Sequence, residues 1–347
     1  MRMKKDIRAY EYEELQKELE RLGEKPFRAK QIYEWLHVKL ADRFDEMTNL
    51  SVKLREKLAE EYDIFPVQMA ERQQSKLDGT NKFLFRLYDG NMVESVLMRY
   101  KHGNSVCISS QAGCRMGCVF CASTIGGLKR NLSASEMLGQ IYQIQKIIGE
   151  RVSNVVIMGT GEPLDNYNNF LKFIHILTDE HGLNISQRNV TVSTCGIVPQ
   201  IYRLADENIP ITLAISLHAP NDRIRNVLVP ISKNFRIKDV VSAAEYYFKK
   251  TKRRVTFEYI LIKDMNASVE NAKELCRLIG KMPCHINLIP INGTEHIKLY
   301  PPEWKEIKRF QDILLKKGKE TTVRKQMGDE IQAACGQLKR RYLNSVT

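Results

Sequence analysis

The feature of this chain that most constrains its fold is the regular alternation, from Val106 onward, between short apolar segments and longer helical ones. The short segments have the length and composition of buried strands. They are Val106–Ser110, Asn154–Met158, Asn189–Thr194, Ile211–Leu217, Val255–Ile262 and His285–Ile291. Strands joined by helices in this way form a parallel sheet with right-handed crossovers. Because a closed eight-stranded barrel would need two more units, we predict an α/β fold built on a partial (β/α)6 barrel.

The first 99 residues have a different pattern and predict two smaller units. Residues 1–65 are polar with helical spacing, as in Phe27–Leu36, and predict a small helical accessory domain. Beyond them the pattern becomes alternating, and Asp89-Gly90 is a hairpin turn signal that a second strand follows at Val93–Met98. We therefore divide the chain into an N-terminal helical domain (1–65), a β-hairpin linker (66–99) and the barrel domain (100–347).

The charge of the chain favours a polyanionic partner. Lysine and arginine together number 54 against 41 acidic residues, which gives a net charge of +13. A single basic run is most simply a solvated helix face, but an excess of this size favours nucleic acid, because neutralised phosphates release counterions. The sequence has neither an apolar run of about 18 residues nor a secretory leader, so we predict a cytoplasmic protein that does not bind membranes.

Polar or glycine-rich residues follow most of the predicted strands. Three cysteines follow the first strand, Gly161-Glu162 follows the second and Ser193 ends the third. Ser216-Leu217-His218 ends the fourth strand, and Asn292 follows the sixth. Since the carboxyl ends of parallel strands meet at one face of such a barrel, these residues predict a single pocket.

The three cysteines have the spacing Cys-x3-Cys-x2-Cys, at Cys114, Cys118 and Cys121. Thiolates are the usual ligands of iron–sulfur clusters, and three ligands leave one iron of a [4Fe–4S] cube open to a small molecule. The amino and carboxylate groups of S-adenosylmethionine (SAM) suit that open iron, and the reduced cluster can then cleave SAM to a radical. The alternative is a zinc site, for which Cys107 or a distant residue would be the fourth ligand.

Several ordered segments resemble the RlmN/Cfr family of radical-SAM RNA methyltransferases, and the RlmN branch fits best. The resemblance covers nearly the whole chain. It lies in Cys107–Cys121, Asn131-Leu132, Gly161–Leu164, Ile215–Asp222, Ile286–Pro290 and Ala333–Leu338. It implies methylation of adenosine C2 in 23S rRNA and in tRNA beside the anticodon. The Cfr branch modifies C8 instead, and Pro163 after Gly161-Glu162 favours the C2 branch.

The resemblance also implies roles for individual residues. Cys335 carries the methyl group as S-methylcysteine, Cys107 resolves the transient protein–RNA adduct, and Glu94 is the general base. From the residues alone, Cys335 could be a small buried helix residue, and Glu94 is more simply the solvent-facing residue of an alternating strand. Two SAM molecules are used per turnover. The implied SAM-binding residues are Gly161, Glu162, Ser193, Ser216, Leu217, His218 and Asn292.

Three further expectations complete the sequence-based picture. The resemblance implies an electron donor such as ferredoxin or flavodoxin, and we expect a monomer. The N-terminal helical domain is expected to add RNA contacts. The competing hypothesis from another class is a zinc-stabilised RNA-binding protein without catalysis, which would be colourless after anaerobic purification.

Overall fold

The structure is a computed structural model that describes residues 4–291, 299–324 and 331. Its N-terminal part is helical, as the spacing predicts. Three helices surround apolar side chains, and a two-residue parallel pairing joins the beginning of this part to its end. The elements are β1 (Lys5–Asp6), α1 (Tyr12–Arg21), α2 (Phe27–His37), α3 (Val52–Glu61) and β2 (Tyr62–Asp63).

A buried polar cluster joins this helical part to the rest of the chain. The Tyr142 hydroxyl lies 2.6 Å from Nδ1 of His37, and both side chains are buried. The guanidinium of Arg8 lies over the Tyr142 ring and binds Asp42 at 2.8 Å. Because burial disfavours the charged imidazole, the pKa of His37 is lowered to about 3. His37 is therefore neutral and shares one hydrogen bond with the tyrosine hydroxyl.

One ten-stranded sheet dominates the described residues. Its strand order is β14-β13-β12-β11-β10-β9-β6-β5-β4-β3. The strands are β3 (Gln68–Gln74), β4 (Asn81–Arg86), β5 (Met92–Tyr100), β6 (Gly103–Cys107), β9 (Val152–Ile157), β10 (Val190–Thr194), β11 (Thr212–Ser216), β12 (Val255–Leu261), β13 (Cys284–Pro290) and β14 (Glu320–Val323). A separate short hairpin contains β7 (Gln111–Gly113) and β8 (Leu128–Asn131).

Helices connect the parallel strands and cover one face of the sheet. They are α4 (Ala134–Ile148), α5 (Tyr167–Thr178), α6 (Val198–Asp206), α7 (Asp222–Leu228), α8 (Ile237–Thr251), α9 (Val269–Ile279) and α10 (Trp304–Lys316). The predicted capping box opens α4, where Ser133 accepts from the backbone of Glu136 and Glu136 accepts from the backbone of Ser133.

The predicted barrel strands are confirmed, with two differences. All six are present and parallel, from β6 to β13, but the first lies three residues earlier than predicted. A seventh parallel strand, β14, extends the sheet beside β13 and was not predicted. The hairpin of β4 and β5 is also confirmed, and its turn is closed by a bond from the Leu87 amide to the Asn91 carbonyl at 2.8 Å. This hairpin continues the barrel sheet through β6.

The two faces of the parallel strands differ in chemistry because strand side chains alternate. The helix-covered face contains fully buried aliphatic and aromatic side chains, among them Val155, Leu213 and Phe257. The opposite face contains small and polar side chains, among them Ser193 and Glu258. In a partial barrel the second face is the interior, so the sheet places polar groups around a central space. No helix in the described part of the chain is long and apolar enough to span a membrane.

Candidate active site

Glu94 and Cys107 lie on the same face of two neighbouring strands. Val96 of β5 is paired with Cys107 of β6, and opposite residues in an antiparallel pair point to the same side. Glu94 lies two residues before Val96, so its side chain points to that side as well. The Ser109 hydroxyl donates to the Glu94 carbonyl at 2.7 Å, which continues the contact between the two segments. Glu94 is only 5% exposed, so the simpler interpretation of a solvent-facing strand residue is wrong.

The cysteine loop follows Gly113, the last residue of β7, and glycine is required at that position. Gly113 has a φ of +82°, and a Cβ at this position would lie 2.0 Å from the carbonyl oxygen of Gly127. That oxygen accepts from the Cys114 amide at 3.2 Å, which closes the loop at its base. The amide of Cys121 donates to the Cys118 carbonyl at 3.1 Å. The loop therefore holds its three cysteines on a short, hydrogen-bonded backbone.

The three thiols interact with one another electrostatically. Burial, with a smaller contribution from the nearby Cys121, raises the pKa of Cys114 to about 12. Burial also raises the pKa of Cys118, with Cys121 and Cys114 as the next causes. Within residues 4–291 and 299–324, no three histidine, cysteine or acidic side chains close around a single-ion site. The loop is thus an open set of donors whose thiols lose protons only if a cationic group binds them.

Gly161 and Glu162 follow β9 and lie against the segment that leads into the cysteine loop. Gly161 has a φ of +108°, and a Cβ there would lie 2.6 Å from the Cβ of Gln111. The Glu162 carboxylate is buried and accepts from the backbone amides of Leu164 at 3.0 Å and Cys195 at 2.7 Å. Burial raises the pKa of this carboxyl. Glu162 thereby connects the end of β9 to the end of β10.

The residues predicted at the ends of β10 and β11 are brought together. The hydroxyls of Ser193 and Ser216 lie 3.4 Å apart. The Leu217 side chain is fully buried, whereas its amide donates to the Glu258 carbonyl at 3.0 Å. His218 has a φ of +58°, and its Nδ1 accepts from the Ile260 amide at 3.1 Å. Burial lowers the pKa of His218 to about 3, so its ring is neutral.

Comparison with known proteins agrees with this geometry. Residues 5–64 match the family model "Ribosomal RNA large subunit methyltransferase N-terminal domain", and residues 108–276 match the Radical SAM superfamily. A "Probable dual-specificity RNA methyltransferase RlmN" of Lachnoclostridium phytofermentans is 58% identical over 97% of this chain and 95% of that protein. The chain belongs to the RlmN family of radical SAM RNA methyltransferases. The protein of the same name from Clostridium novyi is 49% identical over 98% of this chain and 99% of that protein.

A solved structure extends the similarity from the sequence to the fold. The crystal structure of a radical SAM methyltransferase from Sphaerobacter thermophilus has a TM-score of 0.91 and 42% sequence identity to this chain. The match covers 96% of this chain and 98% of that one. The partial barrel and its N-terminal domain are therefore shared with a methyltransferase along nearly their whole length.

Two buried groups of this RlmN-family site were not identified from the sequence. Arg225 of α7 is fully buried and donates to the carbonyl of Cys195 at 2.5 Å and to that of Leu217 at 3.2 Å. Glu258 of β12 lies in the barrel interior and accepts from the Asn287 amide group at 2.9 Å. In the sequence, Arg225 is one of two arginines in a short helix, and nothing distinguishes it from Arg223. Glu258 is a charged residue inside an apolar strand, and this contrast is a signal from which it could have been identified.

The remaining cysteines have different surroundings. Cys195 is buried in the same apolar cluster as Cys114 and Met116 of the cluster loop. Cys284 is buried in β13, and Cys276 is half-buried on α9. Two predicted site residues, Asn292 and Cys335, lie outside the described residues.

The donor set fits the group that membership in a radical SAM family implies, a [4Fe–4S] cluster with SAM. Three thiols on one short loop are the ligand type and number that leave one iron of a cube open. At Gly113 the backbone lies so close to Gly127 that a Cβ would not fit. Gln111, two residues before Gly113, packs against Gly161 and accepts a hydrogen bond from the Glu162 amide, so the loop lies beside Gly161 and Glu162. The predicted cysteine, glycine and serine positions thus share one end of the barrel.

Proposed function

We propose that this protein methylates C2 of adenosine in 23S rRNA and in tRNA beside the anticodon. The RlmN relatives named above are dual-specificity RNA methyltransferases, which supports both substrates. We further propose that it acts in the cytoplasm as a monomer and receives electrons from a ferredoxin or flavodoxin. The proposed division is a helical RNA-contacting domain (1–65), a hairpin segment (66–99) and the barrel with its catalytic C-terminal segment (100–347).

The observation that carries this proposal is the position of Glu94 and Cys107 on one face of adjacent strands. Cys107 ends β6, and the chain reaches the cluster loop seven residues later. A base and a thiol on the same face can act on one bound adduct, the base on a carbon-bound proton and the thiol on a sulfur atom. A cysteine whose only role was to complete a zinc site would need no carboxylate partner on that face.

The proposed chemistry assigns one task to each side chain. Cys114, Cys118 and Cys121 would hold the cluster, which with SAM supplies a carbon-centred radical. Cys335 would carry a methyl group taken from SAM by nucleophilic displacement. The radical would remove one hydrogen atom from that S-methyl group to give 5′-deoxyadenosine, and the methylene carbon would then bond to adenine C2, with the odd electron of the adduct passing back to the cluster. Glu94 would then accept the proton from C2. Cys107 would attack the Cys335 sulfur, which breaks the sulfur–carbon bond and leaves a Cys107–Cys335 disulfide, and the released methylene carbon would take up one proton to give the methylated base.

The cofactor pocket would be formed by the strand ends. Gly161 and Glu162 would contact the amino-acid part of SAM, with Ser193, Ser216, Leu217, His218 and Asn292 around its ribose and adenine. A buried neutral imidazole and two close hydroxyls offer hydrogen bonds without adding charge, which suits a nucleoside. Two SAM molecules would be used in each turnover, one as methyl donor and one as radical source.

The test is methylation of a 23S rRNA fragment and a tRNA by reconstituted protein, with mass spectrometry of the nucleosides. We expect 2-methyladenosine from the wild type and none from Cys335→Ala. Cys107→Ala should accumulate a covalent protein–RNA species, because the adduct forms but its sulfur–carbon bond is not broken. Cys276→Ala, a half-buried cysteine on α9, is the matched control and should retain activity.

Three outcomes would contradict the proposal. Methylation by Cys335→Ala would exclude the cysteine-borne methyl group. 8-Methyladenosine as the product would assign the chain to C8 chemistry. A colourless protein that contains zinc and lacks iron and sulfide after anaerobic purification would instead support a non-catalytic RNA-binding protein.

A further inference from the structure

An exposed apolar pair lies directly beside the cluster loop. Val119 follows Cys118 and is 41% exposed, and Val227 on α7 is 56% exposed. The Val119 amide donates to the carbonyl of Leu228 at 3.1 Å, and Val227 directly precedes Leu228. The loop and α7 therefore form one continuous surface at this point.

The loop presents alternate residues inward and outward here. The ring of Phe120 meets the ring of buried His218 edge to face, with centroids 4.8 Å apart. Phe120 thus points into the site while its neighbour Val119 points to solvent. Cys118 and Cys121 are each partly exposed, so the protein over the cluster ligands is thin on this side. An electron that enters beside Val119 arrives next to the cluster ligand Cys118, and electron transfer slows steeply with distance.

Positive charge surrounds the apolar pair. Arg223 lies four residues before Val227, on the same face of α7, and is exposed. Lys233 and Arg236 are also exposed on the segment that follows α7, and within the described chain none of the three forms an ion pair. The acid nearest to Arg223 in sequence, Asp222, is half-buried and accepts from the Ile237 amide at 2.7 Å, and Asp239, three residues after Arg236, is exposed, so positive charge is in excess. The surface therefore has an apolar centre and a cationic rim.

From this arrangement we propose that the surface formed by Val119, Val227, Arg223, Lys233 and Arg236 docks the electron donor, a small acidic one-electron carrier with a flavin or an iron–sulfur centre. The assignment rests on the proposed function, since only a redox cluster requires such a partner. An apolar centre with a charged rim is the pattern of protein–protein interfaces, and the rim steers an oppositely charged partner. RNA would instead favour exposed aromatic side chains for stacking, and the outward-facing residues here are aliphatic.

The transfer at this surface is a single-electron step. With flavodoxin as donor, the anionic flavin hydroquinone is oxidised to the neutral semiquinone, and the cluster is reduced by one electron. No proton needs to move between the partners, so the surface requires no acid or base of its own. What it must provide is contact close to Cys118 and attraction for an acidic partner, which Val119 and the arginine and lysine rim supply.

The experiment uses reconstituted holoenzyme and flavodoxin as the probe. The test variant is Arg223→Glu with Val227→Glu, which reverses one rim charge and puts a charge into the apolar centre without altering the cluster loop. The matched control is Leu315→Glu with Lys316→Glu, an exposed leucine and lysine at the end of α10. Measured quantities are the Kd for oxidised flavodoxin, the rate of flavin hydroquinone oxidation in stopped flow, the Kd for tRNA, and SAM cleavage driven by dithionite.

We expect the test variant to weaken flavodoxin binding and slow flavin oxidation at least tenfold, while tRNA affinity and dithionite-driven SAM cleavage stay within twofold. The control should change none of these. Wild-type binding should also weaken with added salt, because the rim charges are exposed. Unchanged flavodoxin binding in the test variant, or no binding by the wild type, would overturn the assignment, and a parallel loss of tRNA affinity would make this an RNA surface. Absence of SAM cleavage even with dithionite would refute the proposed function instead.

Discussion

A methyl group added at Gly113, at the base of the cluster loop, should lower the stability of the protein far more than a methyl group added at Gly126. Gly113 and Gly126 have almost the same backbone conformation, with φ of +82° and +87°. A Cβ at Gly113 would lie 2.0 Å from the backbone oxygen of Gly127, whereas a Cβ at Gly126 would have no atom within 4 Å. The pair Gly113→Ala and Gly126→Ala therefore separates the cost of the contact from the cost of the conformation.

The free-energy costs of the conformation and of the contact can each be estimated. A left-handed conformation costs a non-glycine residue about 1–2 kcal/mol, which is the whole effect expected for Gly126→Ala. Gly113→Ala must in addition move a backbone oxygen by about 1 Å, which breaks the bond it accepts from Cys114 and shifts the loop, so we expect a total loss of about 3–5 kcal/mol. With an unfolding entropy of about 2.1 cal/mol/K per residue, 1 kcal/mol corresponds to a fall in Tm of about 1.4 °C in a chain of this length.

The assay is thermal unfolding of both variants without iron, followed by iron content after reconstitution. Gly126→Ala should lower Tm by about 1–3 °C and Gly113→Ala by about 4–7 °C. Because Gly113 directly precedes Cys114, only its variant should also lose iron. Equal Tm values for the two alanine variants, or full iron loading of Gly113→Ala, would refute the view that the Gly113–Gly127 contact shapes the cluster loop.

Two further predictions concern buried groups. Arg225→Met should lower the free energy of unfolding in urea by about 3 kcal/mol, because the carbonyls that bind the guanidinium lose a charged donor, whereas Arg223→Met on the exposed face of the same helix should change it by less than about 0.5 kcal/mol; equal effects would contradict this. His37 has a folded-state pKa of about 3 against an ordinary 6.5, so below pH 6.5 the unfolded chain binds a proton that the folded chain does not. The stability that neutral His37 contributes is complete above pH 6.5 and is lost as the pH falls toward 3, by about 1.4 kcal/mol per pH unit. His37→Gln should therefore show a shallower loss of stability than the wild type between pH 6 and 4 in urea titrations, and identical slopes would refute the assignment.

Strand positions could be predicted where the side chains themselves carry the signal. The predicted strand Val255–Ile262 differs from β12 by one residue, because its apolar run is long and ends at a lysine. By contrast, β14 has the sequence Glu-Thr-Thr-Val and no apolar alternation. It is a strand because its backbone bonds to β13 from His285 to Leu288, a tertiary contact that has no local signature.

The candidate site shows the same division between local and tertiary information. The cysteine spacing and the glycine-rich segments are local, so their positions at one end of the barrel followed from the order of the strands. The burial of Glu94 and of Arg225 could not be predicted, because the sequence around each of them is like that around an exposed residue of the same type. β5 is an inner strand, paired on both sides with β4 and β6, and the burial of Glu94 depends on these tertiary neighbours, which have no signature in the adjacent sequence.

Because the barrel interior is polar and the helix-covered face is apolar, one sheet can both stabilise the fold and bind a ligand. The helix-covered face is apolar and supplies the burial that stabilises the fold. The interior face then has to satisfy its polar groups, and within the described residues it does so in pairs, such as Ser193 with Ser216 and Glu258 with Asn287. Hydroxyl and carboxylate oxygens accept more than one hydrogen bond, so these pairs keep acceptor capacity for a ligand. A substitution that makes this face apolar would be tolerated by the sheet but would remove the groups that can bind a nucleoside, whereas polar substitutions on the other face would unfold the barrel. The two faces therefore respond oppositely to the same change in polarity, because stability depends on one and ligand binding on the other.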